Sequence, residues 1–160
     1  MKKIFLTIAT AALFSVNVFA ADGGKKGTET SAKVTYTVQQ EFYADFADAQ
    51  NIVWSKDKSC QKADFTVDGV KKTAFYTLTG DFLGTTQVIG YNAIPAKSQK
   101  LIAEKYKGYT PGDVIVYQAN EDMNRDIEPT SYFVELKSST HEVLIRVTGS
   151  GNLEFFKQVK

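Results

Sequence analysis

The segment AFYTLTGDFLGTT, residues 74–86, places two apolar runs on either side of a polar turn that contains Gly80. This pattern predicts two strands joined by a tight turn. The same outline returns in VLIRVTGSGNLEFF, residues 143–156, with Gly151 in the turn. A pattern that returns within one chain indicates internal repetition. The sequence therefore predicts one hairpin that is built twice.

A helix is predicted ahead of each hairpin. TVQQEFYADFADA spaces its apolar residues for one helical face, and Thr37 with Gln40 fits a capping box. In IPAKSQKLIAEKYKGY, Pro95 suits the first turn of a helix, and Gly108 follows where a left-handed cap is expected. The corresponding apolar pairs are Phe42 and Phe46 in the first helix, and Ile102 and Tyr106 in the second. The aromatic residues expected in the core are Phe42, Phe46, Tyr76 and Tyr132.

Four strands are predicted after each helix. Short apolar runs between polar or glycine turns favour an antiparallel sheet. We predict an α+β fold: a tandem repeat of a helix plus a four-stranded antiparallel sheet, with the helices on one face and an open concave face on the other. The strands are residues 52–55, 63–69, 71–78 and 82–89, then 113–120, 131–137, 142–148 and 153–159. The domains are a signal peptide at 1–20, a flexible lead-in at 21–35, a first helix-plus-sheet unit at 36–93 and a second at 94–160.

The N-terminus has the pattern of a secretory signal. Lys2 and Lys3 precede an apolar stretch, and small residues then suit cleavage before Ala21. Polar residues interrupt the stretch and no basic cluster closes it, so a signal peptide is favoured over a membrane anchor. The mature protein is therefore expected to be periplasmic or secreted, without membrane insertion after signal cleavage.

Charge and cysteine content narrow the classes of partner. The chain has 19 Lys and Arg against 18 Asp and Glu, and they are scattered. A nucleic-acid or anionic-membrane partner is therefore disfavoured. Cys60 is the only cysteine, so no disulfide can form within the chain. It is either a buried thiol, a thiol that cross-links chains, or one made reactive by nearby lysines.

The sequence offers little catalytic or metal-binding chemistry. His141 is the only histidine and follows a Ser-Ser-Thr run, but proximity in a turn does not create a nucleophile and its base. One cysteine and one histidine cannot complete a zinc site. Alternate polar side chains from Asp122 to Glu128 suit the start of a calcium loop, yet Ile127 and Phe133 stand where glycine and a bidentate glutamate are needed. We favour a solvated acidic loop, and predict no enzyme activity, metal or cofactor.

Alternation within the later hairpin assigns its two faces. One face is wholly apolar, includes Val134, and is predicted to take the helix. If SSTH is the loop, Phe133 lies opposite Arg146 and Lys137 opposite Glu142 on the other face. This mixed face is predicted to meet water or a partner, although its rings could instead pack against the lead-in or neighbouring strands. The candidate partner-binding residues are Phe75, Tyr117, Phe133, Glu135, Leu144 and Arg146.

Four segments resemble a known family when taken in order: VQQEFYADFADAQNIVW, ADFTVDGVKKTAFYTLTGDFLGTT, AIPAKSQKLIAEKYKGYTPGDV and SYFVELKSSTHEVLIRVTGSGNLEF. Together they resemble the PepSY-like, beta-lactamase-inhibitor-protein-like family of exported bacterial proteins. The resemblance covers roughly residues 36–160. It implies tandem helix-plus-sheet units, a concave sheet surface able to bind another protein, and no catalytic machinery.

Two features depart from that family. Thr77 and Thr148 precede the turn glycines where an acidic residue is usual, although a threonine hydroxyl can also bond turn backbone. The second unit also lacks a tryptophan to match Trp54. One aromatic anchor for each molecule is therefore expected in place of two.

These observations predict an exported, non-enzymatic binding protein that docks a cell-envelope protein on its open sheet face, with inhibition of that protein as one outcome. The alternative is a periplasmic carrier of a small molecule or peptide, which would need an enclosed apolar pocket between sheet and helix. A hydrolase is the third class, and the sparse set of candidate nucleophiles and bases disfavours it.

Overall fold

The computed structural model describes residues 34–122 and 128–160, which form an α+β fold. The chain divides into two compact units, the first extending to Thr85 and the second running from Thr86 to Lys160. The helices of the described residues are α1 (Tyr36–Asp45), α2 (Ala96–Lys105) and a short 3₁₀ helix (Tyr91–Ala93). The strands are β1 (Gln50–Lys56), β2 (Gln61–Val67), β3 (Val70–Tyr76), β4 (Phe82–Ile89), β5 (Thr110–Ala119), β6 (Thr130–Lys137), β7 (Glu142–Thr148) and β8 (Leu153–Gln158).

Strands that follow each other in the chain pair antiparallel within each unit: β1 with β2 and β2 with β3 in the first, and β5 with β6, β6 with β7 and β7 with β8 in the second. Every predicted strand has its counterpart, and the predicted bounds of β4 are those observed. Strands β1 and β5 start two and three residues earlier than predicted, and each carries a bulge in its pairing, at Gln50/Val53 and at Pro111/Val114. A bulge interrupts the alternation on which the prediction depended.

Helix α1 begins differently from the prediction. Its N-cap is Thr35, which has extended backbone angles (φ −67°, ψ 151°) and accepts a hydrogen bond from the Val38 amide at 3.4 Å. The predicted capping box at Thr37 is therefore wrong, because Thr37 already lies inside the helix. Gln61 on β2 accepts a 2.7 Å hydrogen bond from the Thr35 amide, so a contact from outside the helix fixes where it starts.

In the first unit, one face of α1 packs on the sheet. Val38 and Phe42 are fully buried against β2 and β3, together with Tyr76. The Phe42 ring meets the rings of Trp54 and Phe65 edge-on, each with centroids 5.0 Å apart. Edge-to-face aromatic pairs are favourable beyond the area they bury. The predicted core positions of Phe42 and Tyr76 are confirmed, and Phe46 packs at the margin.

In the second unit, α2 packs on the predicted apolar face. Ile102 is buried against Val134, Leu136, and Ile145, and Ile94 joins them from the segment before α2. Tyr132 is partly buried against the same cluster, so its predicted position is also confirmed. The alternation of β6 and β7 thus correctly identified the face that the helix covers.

The two helices end with the same backbone bonds. The Phe46 amide donates to the Phe42 carbonyl at 2.8 Å, and the Tyr106 amide donates to the Ile102 carbonyl at 2.8 Å. The next turn follows in both cases: the Ala49 amide bonds the Phe46 carbonyl, and the Tyr109 amide bonds that of Tyr106. Gly108 has φ +85°, the left-handed conformation predicted for it.

The two predicted turns also share a hydrogen-bond pattern. In the first, the Thr77 hydroxyl accepts from the amides of Gly80 at 3.1 Å and Asp81 at 3.0 Å. In the second, the Thr148 hydroxyl accepts from the Asn152 amide at 3.0 Å. The Gly151 carbonyl accepts from the Ser98 hydroxyl of α2 at 3.1 Å, so this turn is tied to its own helix. Threonine thus serves both turns, as the sequence predicted.

Predictions for the N-terminus lie mostly outside the described residues. This holds for the signal peptide and for residues 21–33 of the lead-in. Val34 belongs to the core of the first unit and Thr35 caps α1, so the two described residues of the lead-in are part of the fold. Within the described ranges, the helices are too short to span a bilayer.

Candidate partner-binding face

The face of β6 and β7 that points away from α2 carries most of the predicted binding residues. Phe133 pairs with Arg146, and Glu135 pairs with Leu144. These residues alternate with those that contact α2, so they lie on the opposite face. The predicted register of the hairpin, including Lys137 opposite Glu142, is confirmed.

Most of the predicted binding residues are buried, and the Phe133 ring packs on a neighbouring strand, which is the alternative that the sequence left open. Phe133 packs edge-on against Phe156 of β8, with ring centroids 5.1 Å apart. Alternation assigns a side chain to a face of the sheet, but it does not show how far neighbouring groups cover that face. The exposed fractions are 3% for Phe75, 6% for Tyr117, 2% for Phe133, 4% for Glu135 and 3% for Leu144.

Arg146 is a partly accessible cation of this face, beside the more exposed Lys137. Its guanidinium donates to the Ser131 hydroxyl at 3.0 Å and 3.2 Å, and to the Glu154 carboxylate at 3.4 Å. The Arg146 side chain remains 16% exposed and that of Glu154 remains 55% exposed. Two donors on one hydroxyl hold the guanidinium in a fixed plane, so Arg146 is presented with little freedom.

A buried carboxylate lies further along the same face. Lys137, which the sequence places opposite Glu142, forms its ion pair with Glu135 at 2.8 Å. Gly112 of β5 leaves space for the Glu135 carboxylate, because a Cβ at position 112 would collide with it. The pKa of Glu142 is raised by its hydrogen bond to Glu135, by burial and by repulsion from that carboxylate. Lys137 therefore pairs with Glu135, and its charge also acts on Glu142, where it lowers the pKa in part.

In the first unit, Cys60 is buried beside an ion pair. Asp57 and Lys62 lie 3.3 Å apart, and the Cys60 thiol is 3.9 Å from the Asp57 carboxylate. Burial, with help from Asp57, raises the pKa of Cys60 to about 11. The interpretation that neighbouring lysines make this thiol reactive is therefore wrong, and the buried-thiol interpretation is supported.

In the loop at His141, the Ser138 hydroxyl does not bond the histidine ring. The His141 imidazole nitrogen Nδ1 is 2.7 Å from the Thr140 hydroxyl, while the Ser138 hydroxyl donates to the His141 carbonyl at 3.1 Å. The Ser138 oxygen thus bonds the backbone and not the ring. The ring nitrogen lies beside the Thr140 hydroxyl instead, and both side chains are exposed in this hairpin loop.

The prediction of a solvated acidic loop, and the alternative of a calcium site, stay untested because Asn124 and Asp126 lie outside the described residues. Glu128 is described, and its carboxylate accepts from the Gly149 amide at 2.7 Å. It also accepts from the Ser150 hydroxyl at 3.4 Å, so it supports the turn before β8. Among the residues placed by the structure, acids, His and Cys form no group of three suited to a metal.

The sequence did not predict an open cleft beside α2 in the second unit. Its volume is about 410 Å³. The three tyrosines before and after α2 could have indicated this cleft. However, they line the same cleft only because of how the segment before α2 folds. The lining residues are Tyr91, Gln99, Lys100, Ile102, Ala103, Tyr106, Tyr109 and Pro111.

Neither a protein-family model nor a curated protein matches the chain significantly. Several solved structures match the chain. A BLIP-like protein from Bacteroides fragilis superposes with a TM-score of 0.65 at 20% identity, over 79% of this chain and 87% of that one. A DUF2874 family protein from Bacteroides uniformis superposes with a TM-score of 0.70 at 18% identity, over 79% of this chain and 91% of that one. A Bacteroides eggerthii protein provisionally classed as periplasmic superposes with a TM-score of 0.69 at 16% identity, over 79% of this chain and 90% of that one. These likenesses show a BLIP-like fold and no more.

Proposed function

We propose that this chain is an exported, non-enzymatic protein that binds a protein partner through the sheet face opposite its helices. The observation that carries the proposal is the BLIP-like fold, because the name of that neighbour denotes likeness to an inhibitor protein. In support, α2 packs on one face of its unit and leaves Arg146 accessible on the other. Inhibition is one outcome of such binding, since a rigid surface can close the mouth of an active site.

The burial of the predicted residues changes how this face would bind. A side chain that is 2% exposed, such as Phe133, cannot contribute as an accessible anchor. The pair formed by Arg146 and Glu154 is accessible and borders the buried side chains. We therefore assign direct contact to this pair. The other members of the proposed site are buried within their own units: Phe75 in the first, and Tyr117, Phe133, Glu135 and Leu144 in the second.

We further propose that the two units are tandem repeats, as a PepSY-like chain would have, with an open concave sheet face. The matching bonds at Phe46 and Tyr106 support this relation, as do the turn threonines Thr77 and Thr148. The proposed bounds are residues 36–93 and 94–160. Two helices that end alike and two turns that bond alike are expected if one unit was duplicated.

Export to the periplasm, after cleavage before Ala21, belongs to the same proposal. One structural neighbour is provisionally classed as periplasmic. A cleaved signal would give a mature chain that starts at residue 21. Mass spectrometry of the protein recovered from the producing cell's envelope fraction would show this start, whereas an intact N-terminal Met would contradict it.

The docking test captures partners from a periplasmic extract on the immobilised mature chain. We expect one retained protein, and expect Arg146→Ala and Glu154→Lys to weaken retention about tenfold, because both change accessible charge on this face. Phe133→Ala is a poor test, since emptying a buried aromatic site costs about 3–5 kcal/mol of stability on its own. Lys107→Ala is the matched control, an exposed lysine after α2.

Thermal unfolding of each variant separates binding from folding. Loss of retention with an unchanged Tm supports contact at Arg146. If Arg146→Ala and Glu154→Lys retain the partner as well as Lys107→Ala does, the assignment of this face is wrong.

A small-molecule or peptide carrier is the second candidate, and the cleft beside α2 is the observation that favours it. The carrier hypothesis expected an enclosed pocket between helix and sheet, whereas this cleft is open. A ligand that co-purifies with the protein in native mass spectrometry would favour the carrier. Hydrolase activity that disappears in His141→Ala would exclude both proposals.

A further inference from the structure

We propose that the cleft beside α2 binds a small organic carboxylate whose apolar or aromatic body lies among the three tyrosines. This site is distinct from the proposed docking face, because none of its lining residues belongs to β6, β7 or β8. Its volume of about 410 Å³ lies within the range of ligand sites in proteins.

The walls of the cleft are held by specific contacts. The Tyr91 hydroxyl donates to the Gln99 carbonyl at 3.5 Å, which ties the 3₁₀ helix to α2. The side-chain amide of Gln99 donates to the backbone carbonyls of Ile94 at 3.0 Å and Asn92 at 3.4 Å. Tyr106 and Tyr109 meet edge-to-face, with centroids 5.8 Å apart and planes at 87°. The cleft is therefore formed in advance of any ligand.

The lining favours an apolar body. Ile102 is a buried part of the core, and Ala103 and Pro111 add small apolar surfaces beside it. Tyr106 and Tyr109 contact each other at right angles, so a flat ring or a branched alkyl group would lie against their outer surfaces.

The polar groups of the cleft favour an anion. Lys100 is its only charged lining residue, and no carboxylate lines it. In the described part of the chain Lys100 forms no ion pair within 4 Å, although Glu104 lies one turn further along α2. The hydroxyls of Tyr106 and Tyr109 bond no described residue. An ammonium and two phenol donors around an apolar floor complement a carboxylate attached to an apolar group.

The test uses two probes of equal shape and different charge, 3-phenylpropionate and 3-phenylpropanamide. Amide NMR spectra of the mature chain are recorded as each probe is added to millimolar concentration. We expect shifts confined to the cleft residues and about tenfold tighter binding of the acid, which corresponds to ~1.4 kcal/mol. Lys100→Gln should remove this preference, and Ala103→Trp, at an exposed position, should block both probes. Lys107→Gln is the control and should change neither.

A peptide arm distinguishes the source of the carboxylate. If acetyl-Ala-Phe, with its free C-terminal carboxylate, binds tighter than 3-phenylpropionate, the natural ligand is a peptide end; the reverse indicates a free small acid. Equal affinity for acid and amide, shifts away from the cleft, or no saturable binding would overturn the proposal. Arg146→Ala should leave probe binding unchanged and Lys100→Gln should leave partner retention unchanged, so failure of one proposal is distinguishable from failure of the other.

Discussion

At the scale of single residues, neighbours decide how a side chain behaves. Cys60 has three lysines within four positions in the sequence, which suggested an activated thiol. In the fold it lies buried beside the Asp57 carboxylate, and the charge of Lys62 is matched by that acid. Desolvation and a nearby negative charge both disfavour a thiolate. The same residue types thus give the opposite chemistry once burial is known.

Cys60 should react slowly with thiol reagents in the folded protein. Its pKa of about 11, against an ordinary value of 9.0, lowers the thiolate fraction at pH 8 by about a hundredfold. Burial slows access further. Ellman's reagent should therefore label the native chain at least about a hundred times more slowly than the chain in urea. Equal rates in both conditions would contradict the buried position.

At the scale of elements, ends and turns depend on individual side-chain hydrogen bonds. Thr35 caps α1, while Thr37, the predicted cap, lies in its first turn. Thr77 and Thr148 bond the backbone of turns that carry glycines with positive φ, +118° at Gly80 and +83° at Gly151. These bonds are local, so each can be tested by one substitution.

Thr35→Ala should destabilise the protein by about 1 kcal/mol, because the Val38 amide loses its capping acceptor. Thr37→Ala is the matched comparison, since Thr37 is an exposed residue of the helix. Urea unfolding of both variants measures the difference in free energy. A larger loss from Thr37→Ala would restore the capping box predicted from the sequence.

Thr77→Val and Thr148→Val should each cost about 1 kcal/mol, because valine keeps the shape but removes the acceptor for the turn amides. Thr110→Val, at an exposed strand position, should change stability little. Chemical unfolding compares the three. A marked loss in only one of the two turn variants would argue against equivalent turns and weaken the proposed repeat.

At the scale of the whole molecule, acid acts with opposite sign on groups in the two units. In the first, burial acts to raise the pKa of Asp57, but bonds from the Ser59 and Cys60 amides and the charge of Lys62 outweigh it, so the pKa is lowered. In the second, the hydrogen bond to Glu135 raises the pKa of Glu142. The Asp57 contribution is present above its unfolded pKa and lost as pH falls. The Glu142 contribution is present below its unfolded pKa and lost as pH rises.

Acidification from pH 6 to about pH 3 should therefore destabilise the first unit through Asp57. Trp54 is the only tryptophan and packs against Phe42 of that unit, so its fluorescence reports unfolding there. The urea midpoint should fall on acidification in the wild type and fall less in Asp57→Asn, which cannot titrate. Equal falls in both proteins would contradict a stabilising role for the Asp57 carboxylate.

The candidate binding face was predicted in part. The sequence correctly indicated that Phe133, Glu135, Leu144 and Arg146 share one face, since a strand has a strict period of two. It did not indicate their burial, the bond from Arg146 to Ser131, or the pairing of Lys137 with Glu135. The cleft was missed because Tyr91 reaches α2 only through the folded 3₁₀ segment.

The sequence by itself determined the elements, the hairpin register and the side of the second sheet that meets its helix, because these follow from local periodicity and turn chemistry. Only the tertiary structure decided where α1 begins, what charge state Cys60 favours and which residues line the cleft. Each of these depends on groups brought together from distant positions, such as Gln61 with Thr35. Desolvation and long-range hydrogen bonds have no signature in residue spacing, so they become visible only when the chain is folded.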